Sequence, residues 1–286
     1  MDALLIDFGF FFKPAGFDIS HAPIAFAATD SFARAFLVGL LNTLIMAGLA
    51  GLGALALGVF IGIGSHVGNP IGRASLDAFI GLMRNLPKLL ILLAVYVIFI
   101  DALPRPREPW TILPGIYLSN RGLNLPAINF QTLSIEMPTA GRFGIAGGLL
   151  IPTQFAALWF TLVIYHGAQI GEIVRGGLRA IPTGQWEAAR ALGLGARRML
   201  QHVILPQVSR QIIPSLISQF INLLKNTSIG LAVGFADLMA VASTTINQAF
   251  KPVEVMAVVA VLYLSIGLLL ATTLNLLNAR LRRSAS

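Results

Sequence analysis

Gly184-Gln185-Trp186-Glu187-Ala188-Ala189-Arg190-Ala191-Leu192-Gly193-Leu194, running on to Val203-Ile204-Leu205-Pro206, holds the most information of any stretch in this chain. Just upstream, Pro182 ends the incoming helix, because it has no backbone N–H to donate. Thr183 or Gly184 is placed to cap a new helix, with Glu187 in its first turn, where a carboxylate favours the helix dipole. Ala188, Ala191 and Leu192 then share one face, and Gly193 permits a sharp turn. Beyond it Ala196, Met199, Leu200, Val203 and Ile204 recur at the spacing of an amphipathic helix, which Leu205-Pro206 closes. The pattern predicts a short helix–turn–helix at a membrane surface, with arginines on its exposed flank. On composition alone, such a basic hairpin rests on anionic lipid headgroups.

The membrane follows from what surrounds that loop. Of 286 residues, 56% are apolar and 11% charged, where a soluble domain carries about a quarter charged residues. Mean hydropathy is +0.79, and the apolar runs reach the length of about 20 residues that a bilayer requires. The chain is therefore an integral membrane protein, and a cytosolic one is excluded. Its net charge of +8 gathers beside apolar segments, where it sets orientation and does not indicate nucleic acid. The absence of cysteine excludes a disulfide framework and a thiolate metal site. Asp2, Asp7 and the run Phe10-Phe11-Phe12 do not read as a cleaved signal peptide.

Five spans are expected, near residues 35–64, 75–100, 152–174, 212–232 and 253–277. In the first, Ala50, Ala54, Gly58 and Gly62 form a small-residue stripe, suited either to packing within the chain or to a subunit interface. The second is interrupted by Arg84-Asn85-Leu86-Pro87-Lys88, and the fourth contains Lys225-Asn226-Thr227-Ser228. Pro152 suits the first turn of the third. A proline-rich insertion over 101–144, with turns and short strands, separates the second span from the third. Residues 1–30 are an extracytoplasmic segment, 31–280 the transmembrane domain, and 281–286 a tail. Basic residues near span ends, among them Arg73, Arg175, Arg179, Arg190, Arg197, Arg198, Arg210 and Arg280, put the 184–206 loop and the C-terminus inside and the N-terminus outside.

Glu187-Ala188-Ala189, then Gly193, then Val203-x-Leu205-Pro206 resembles the EAA loop of bacterial ABC importer permeases. That resemblance implies that Gly184, Glu187, Ala188, Ala189, Gly193, Leu205 and Pro206 couple the chain to a nucleotide-binding subunit. The segment Gly171-Glu172-Ile173-Val174-Arg175, the run Arg84-Asn85-Leu86-Pro87 and the run Lys225-Asn226-Thr227-Ser228 look like the polar amino-acid branch. Tyr117-Leu118-Ser119-Asn120-Arg121 in the insertion is similar to the general L-amino-acid branch, and Lys88 departs from the family pattern. The implied fold is an all-α membrane protein: five transmembrane helices of the type I importer permease, a coupling-helix pair and an extracytoplasmic insertion. The implied partners are a dimer of ABC ATPase subunits, a second, related permease subunit (a heterodimer in preference to a homodimer) and a periplasmic amino-acid-binding protein. ATP and Mg belong to the ATPase; this chain binds no cofactor, no metal and no nucleic acid, and has no catalytic residue.

Charges within spans are costly, by about 2.5–3.5 kcal/mol on insertion scales, and face a cavity or a partner. Arg84, Asn85, Pro87, Glu172, Lys225, Asn226, Thr227 and Ser228 are the candidate substrate-path residues. Arg84 offers a cation to an α-carboxylate and Glu172 an anion to an ammonium or a nearby arginine; structural pairing among them is the competing role. His21, His66, His166 and His202 fall on separate elements and read as surface or interfacial residues. No Gly-x-x-x-x-Gly-Lys-Ser/Thr loop is present, so the chain cannot itself cradle nucleotide phosphates. Two other classes compete with an ATP-driven permease. An ion-coupled carrier fits the interrupted spans but lacks the internal repeat common in such carriers; a scaffold that does not transport would use the loop only to bind a partner.

Overall fold

Ser31 opens the first long helix: its side chain accepts the Arg34 N–H at 3.3 Å, and α1 (Phe32–Val67) then runs 36 residues without a proline. The computed structural model describes residues 7–129, 134–142 and 144–283, so residues 1–6 of the N-terminal segment and 284–286 of the tail lie outside the described residues. The small-residue stripe of α1 packs within the chain, against α4 (Thr153–Arg179). A Cβ on Gly58 would stand 2.5 Å from the Ile170 side chain, and one on Gly62 the same distance from Val174. Ala50 and Ala54 are fully buried on the same stripe. Small residues let two helix backbones approach closely, and here they join the first and third spans. The subunit-interface alternative gives way to that contact.

The second expected span is a corner. α2 (Pro70–Asn85) and α3 (Lys88–Ala102) meet at 106°. Leu86 is extended (ψ 135°), as a residue before proline tends to be, and Pro87 can donate no hydrogen bond to α2. α4 starts at Thr153, and Pro152 is its N-cap, one position outside the turn in which the sequence placed it.

Two expectations about the loop are corrected. α5 (Thr183–Ala191) is capped by Pro182 without a side-chain hydrogen bond, which puts Glu187 beyond the first turn. Leu205-Pro206 does not close the second helix. α6 (Ala196–Met199) widens into a π turn over Leu200–Ile204, where the Leu205 N–H reaches back five residues to Leu200, and α7 (Leu205–Asn226) continues from there. Proline is tolerated in a first helical turn, and the wider turn absorbs the hydrogen bond that Pro206 cannot make. The helix expected as the fourth span therefore begins well before residue 212. It ends in a 3-10 turn (Thr227–Val233), followed by α8 (Leu238–Ala249) at a bend of 53°. The Asp237 carboxylate accepts the Ala240 N–H at 2.9 Å and so caps α8. Last, α9 (Pro252–Arg283) runs past the expected boundary at residue 280.

Among the described residues, three helices, α1, α4 and α9, are long and apolar enough to cross a membrane, and each bent pair adds a further span if it crosses, giving up to five. The bundle is all helical. The insertion is antiparallel β structure and extends to Pro152, beyond the boundary expected at residue 144. β1 (Trp110–Leu113), β2 (Ile116–Ser119), β3 (Gly122–Leu125) and β8 (Leu149–Pro152) form one sheet in the order β1-β2-β3-β8. β4 (Ala127–Asn129) pairs with β5 (Ser134–Glu136), and β6 (Thr139–Gly141) with β7 (Gly144–Ala146). The Thr153 hydroxyl donates to the Asn120 carbonyl at 2.7 Å, fastening the sheet to the start of α4.

Residues upstream of α1 are also built into the fold. Phe10 and Ala15 are buried with Phe32, Phe36, Val255 and Val259, so this segment seals the ends of α1 and α9. Asn42 of α1 donates to the carbonyls of Ala236 (2.8 Å) and His21 (3.2 Å), tying the segment to the turn before α8.

Candidate functional site

The corner between α2 and α3 places Lys88 at the start of α3, facing the end of α7. Its ammonium donates to Asn226 Oδ1 at 2.5 Å and lies 5.6 Å from the centroid of the Tyr165 ring, a cation–π distance. The Asn226 amide in turn donates to His166 Nε2 (3.0 Å), and His166 Nδ1 meets Gln219 Oε1 at 3.3 Å. An amide nitrogen only donates and an amide oxygen only accepts, so this order assigns His166 the neutral tautomer with its proton on Nδ1. These residues, with Gln169, Asn222 and Lys225, line a polar cavity of about 410 Å³. It lies where one span turns a corner and another ends, so three separate elements supply its walls.

Of the expected path residues, Lys225 and Asn226 line this cavity. Arg84 and Glu172 face each other at 3.9 Å instead. Arg175 also pairs with Glu172 and with Asp77, joining α2 to α4. The four charges are thus used in holding two helices together. Asn85 donates to the Gly81 carbonyl within its own helix, and Pro87 forms the corner. Thr227 and Ser228 donate to the carbonyls of Leu224 and Lys225, closing the end of α7.

Arg175→Met tests the ion network. The side chain of Arg175 is 14% exposed, against 40% for Asp77 and 32% for Glu172. Losing it is expected to cost about 2–3 kcal/mol, below the range for a fully buried pair because both carboxylates keep contact with water. The readout is the thermal midpoint in detergent, and adding Asp77→Asn should recover part of the loss. An unchanged midpoint would show that the network holds nothing.

Reading the sequence missed His166, Gln169, Gln219 and Asn222. His166 is only 2% exposed, not a surface or interfacial residue. A signal was available: His166 and Gln169 are three apart, and Gln219, Asn222 and Asn226 fall at i, i+3 and i+7, a polar stripe on one face of otherwise apolar spans.

At one end of the bundle, α5 is held by buried Ala189 and by Trp186, whose ring lies 5.3 Å from that of His66. The Gly193 N–H bonds to Arg190 and the Leu194 N–H to Ala189, the paired closure of a Schellman motif, with Gly193 left-handed at φ 73°. Glu187, Ala188, Ala191 and Leu192 point away from the bundle, Leu192 with 80% of its surface exposed.

A polar cavity at the breaks between apolar helices is an arrangement suited to the membrane component of a transporter. Residues 54–283 match the family described as binding-protein-dependent transport system inner membrane component. The chain is 33% identical to the general L-amino acid transport system permease protein AapQ of Rhizobium johnstonii, over 96% of this chain and 83% of that one. It is 31% identical to the putative amino-acid ABC transporter permease protein YhdX of Escherichia coli, over 96% and 85% of the two chains. An amino acid ABC transporter crystallised with histidines has a chain that superposes with a TM-score of 0.64 at 26% identity, covering 87% of this chain and 95% of that one. The chain belongs to this family of inner-membrane components, in its amino-acid ABC permease branch. It is a multi-pass permease subunit of an ABC importer, and ATP hydrolysis resides in a different subunit.

Proposed function

We propose that this chain, paired with a second and related permease subunit, carries amino acids inward through five spans by alternating access. The N-terminus and the 101–144 insertion lie on the outer side, where a binding protein delivers the amino acid. The 184–206 hairpin lies inside and docks an ATPase subunit through Glu187, Ala188, Ala191 and Leu192. The amino acid pauses at the cavity lined by Lys88, His166, Gln219 and Asn226. The observation that carries the reading is that two spans break where the polar residues of three elements converge. Polar groups at membrane depth are tolerated where they line a cavity. The amino-acid substrate is supported by the names of the relatives, AapQ and YhdX.

Asn222→Trp, which places an indole at the cavity wall, is the direct test. In vesicles holding the full complex, uptake of labelled amino acids is expected to fall about tenfold or more, the loss of one set of polar contacts. Uptake at the unaltered rate would mean that the substrate passes elsewhere.

A further inference from the structure

The cavity carries two ammonium groups and no acid. Lys88 and Lys225 both line it, and none of the residues lining it is aspartate or glutamate. Among the described residues, neither lysine meets a carboxylate. Among the described residues Lys88 meets the neutral Asn226 and the face of Tyr165, and the acids Asp77 on α2 and Glu172 on α4 are engaged by Arg84 and Arg175. Charges in a membrane protein usually find a partner, because leaving an ion unpaired there is costly. Here the partner is missing on both. Neutral amides, a neutral imidazole and the Tyr165 ring complete the wall, so no full negative charge in it offsets the two cations.

We propose that Lys88 and Lys225 are specificity-determining residues, and that the cavity takes amino acids with two carboxylates in preference to neutral or basic ones. This rests on the cavity being the substrate's resting place, as argued above. A dicarboxylic amino acid presents one carboxylate to each ammonium. Its own ammonium turns toward acceptors already in the wall, such as the side-chain oxygen of Gln219 and the ring face of Tyr165. A neutral amide analogue satisfies one lysine and leaves the other unpaired. A basic amino acid brings a third cation into a site without an anion.

The test uses the purified complex of both permease subunits with the ATPase, without binding protein, and labelled L-glutamate, L-glutamine and L-arginine as probes. Glutamate is expected to bind at least about tenfold more tightly than glutamine (about 1.4 kcal/mol), with arginine weakest. Lys88→Met and Lys225→Met should each bring that ratio close to unity and raise relative arginine binding, while Lys88→Arg keeps the preference. Equal binding of glutamate and glutamine by the unaltered complex overturns the proposal, as it would if the second subunit supplied carboxylates. A ratio unmoved by both methionine variants overturns it too, yet leaves the cavity as the resting place. Absence of binding by any probe, together with full uptake by Asn222→Trp, removes the cavity reading and this proposal with it.

Discussion

Gly193→Val is expected to leave the permease in the membrane at its usual level while the ATPase subunit no longer purifies with it. The glycine sits at φ 73°, and a Cβ there would meet no neighbouring atom, so crowding plays no part. The penalty is conformational: a β-branched residue in the left-handed region costs about 1–3 kcal/mol. That is enough to open the closure between Leu194 and Ala189 and to change the direction in which α6 leaves α5. The core of the bundle does not depend on that closure, since the residue stands outside it. A docking surface does, because a few well-placed side chains dominate an interface. Loss of about 2 kcal/mol there lowers retention of the partner roughly thirtyfold. Glu187→Lys, which alters charge and not backbone, should reduce retention as well. Measuring ATPase recovered per permease, with membrane content as the control, decides it. Full recovery and normal coupled hydrolysis in the valine variant would exclude the hairpin as the docking element.

Gly58→Leu is expected to have the opposite signature, loss of the permease itself. The position lies where α1 and α4 approach closely: a Cβ there would stand only 2.5 Å from the Ile170 side chain and 2.9 Å from the Gly167 carbonyl. A backbone atom cannot swing aside as a flexible side chain can. Overpacking of a core costs about 1–3 kcal/mol when neighbours adjust and more when they cannot. Gly62→Leu meets Val174 and the Gly171 carbonyl (2.8 Å) in the same way. Membrane content and the thermal midpoint in detergent are the readouts. A wild-type midpoint in both variants would mean that the two helices do not meet along this stripe.

Much of the fold was legible along the chain because membranes impose a local code. The apolar runs marked the bodies of α1, α4 and α9, though α4 and α9 run on past their expected ends, and Pro87 marked the corner between α2 and α3. Leu205-Pro206 was misread because proline at the start of a helix and proline after its end look alike in sequence; the π turn that carries α6 into α7 is decided by what surrounds it. The insertion was legible as turns and short strands but the order of its sheets was not, since their pairing joins residues as far apart as Gly122 and Pro152.

The sequence by itself determined that this is a helical membrane protein with an EAA-like hairpin, since hydropathy and the order Glu187-Ala188-Ala189, Gly193, Leu205-Pro206 are properties of neighbours along the chain. Only the tertiary structure decided which polar residues meet. Arg84 and Glu172 were candidates for a substrate and face each other, whereas His166 read as a surface or interfacial residue and stands in the cavity wall beside Lys88 and Asn226. The physical reason is rotation: an intramembrane side chain faces a cavity, a partner or lipid according to how its helix is turned. That turn is set by the close contact of Gly58 and Gly62 with α4 and by the corner at Pro87, not by the residue's own type.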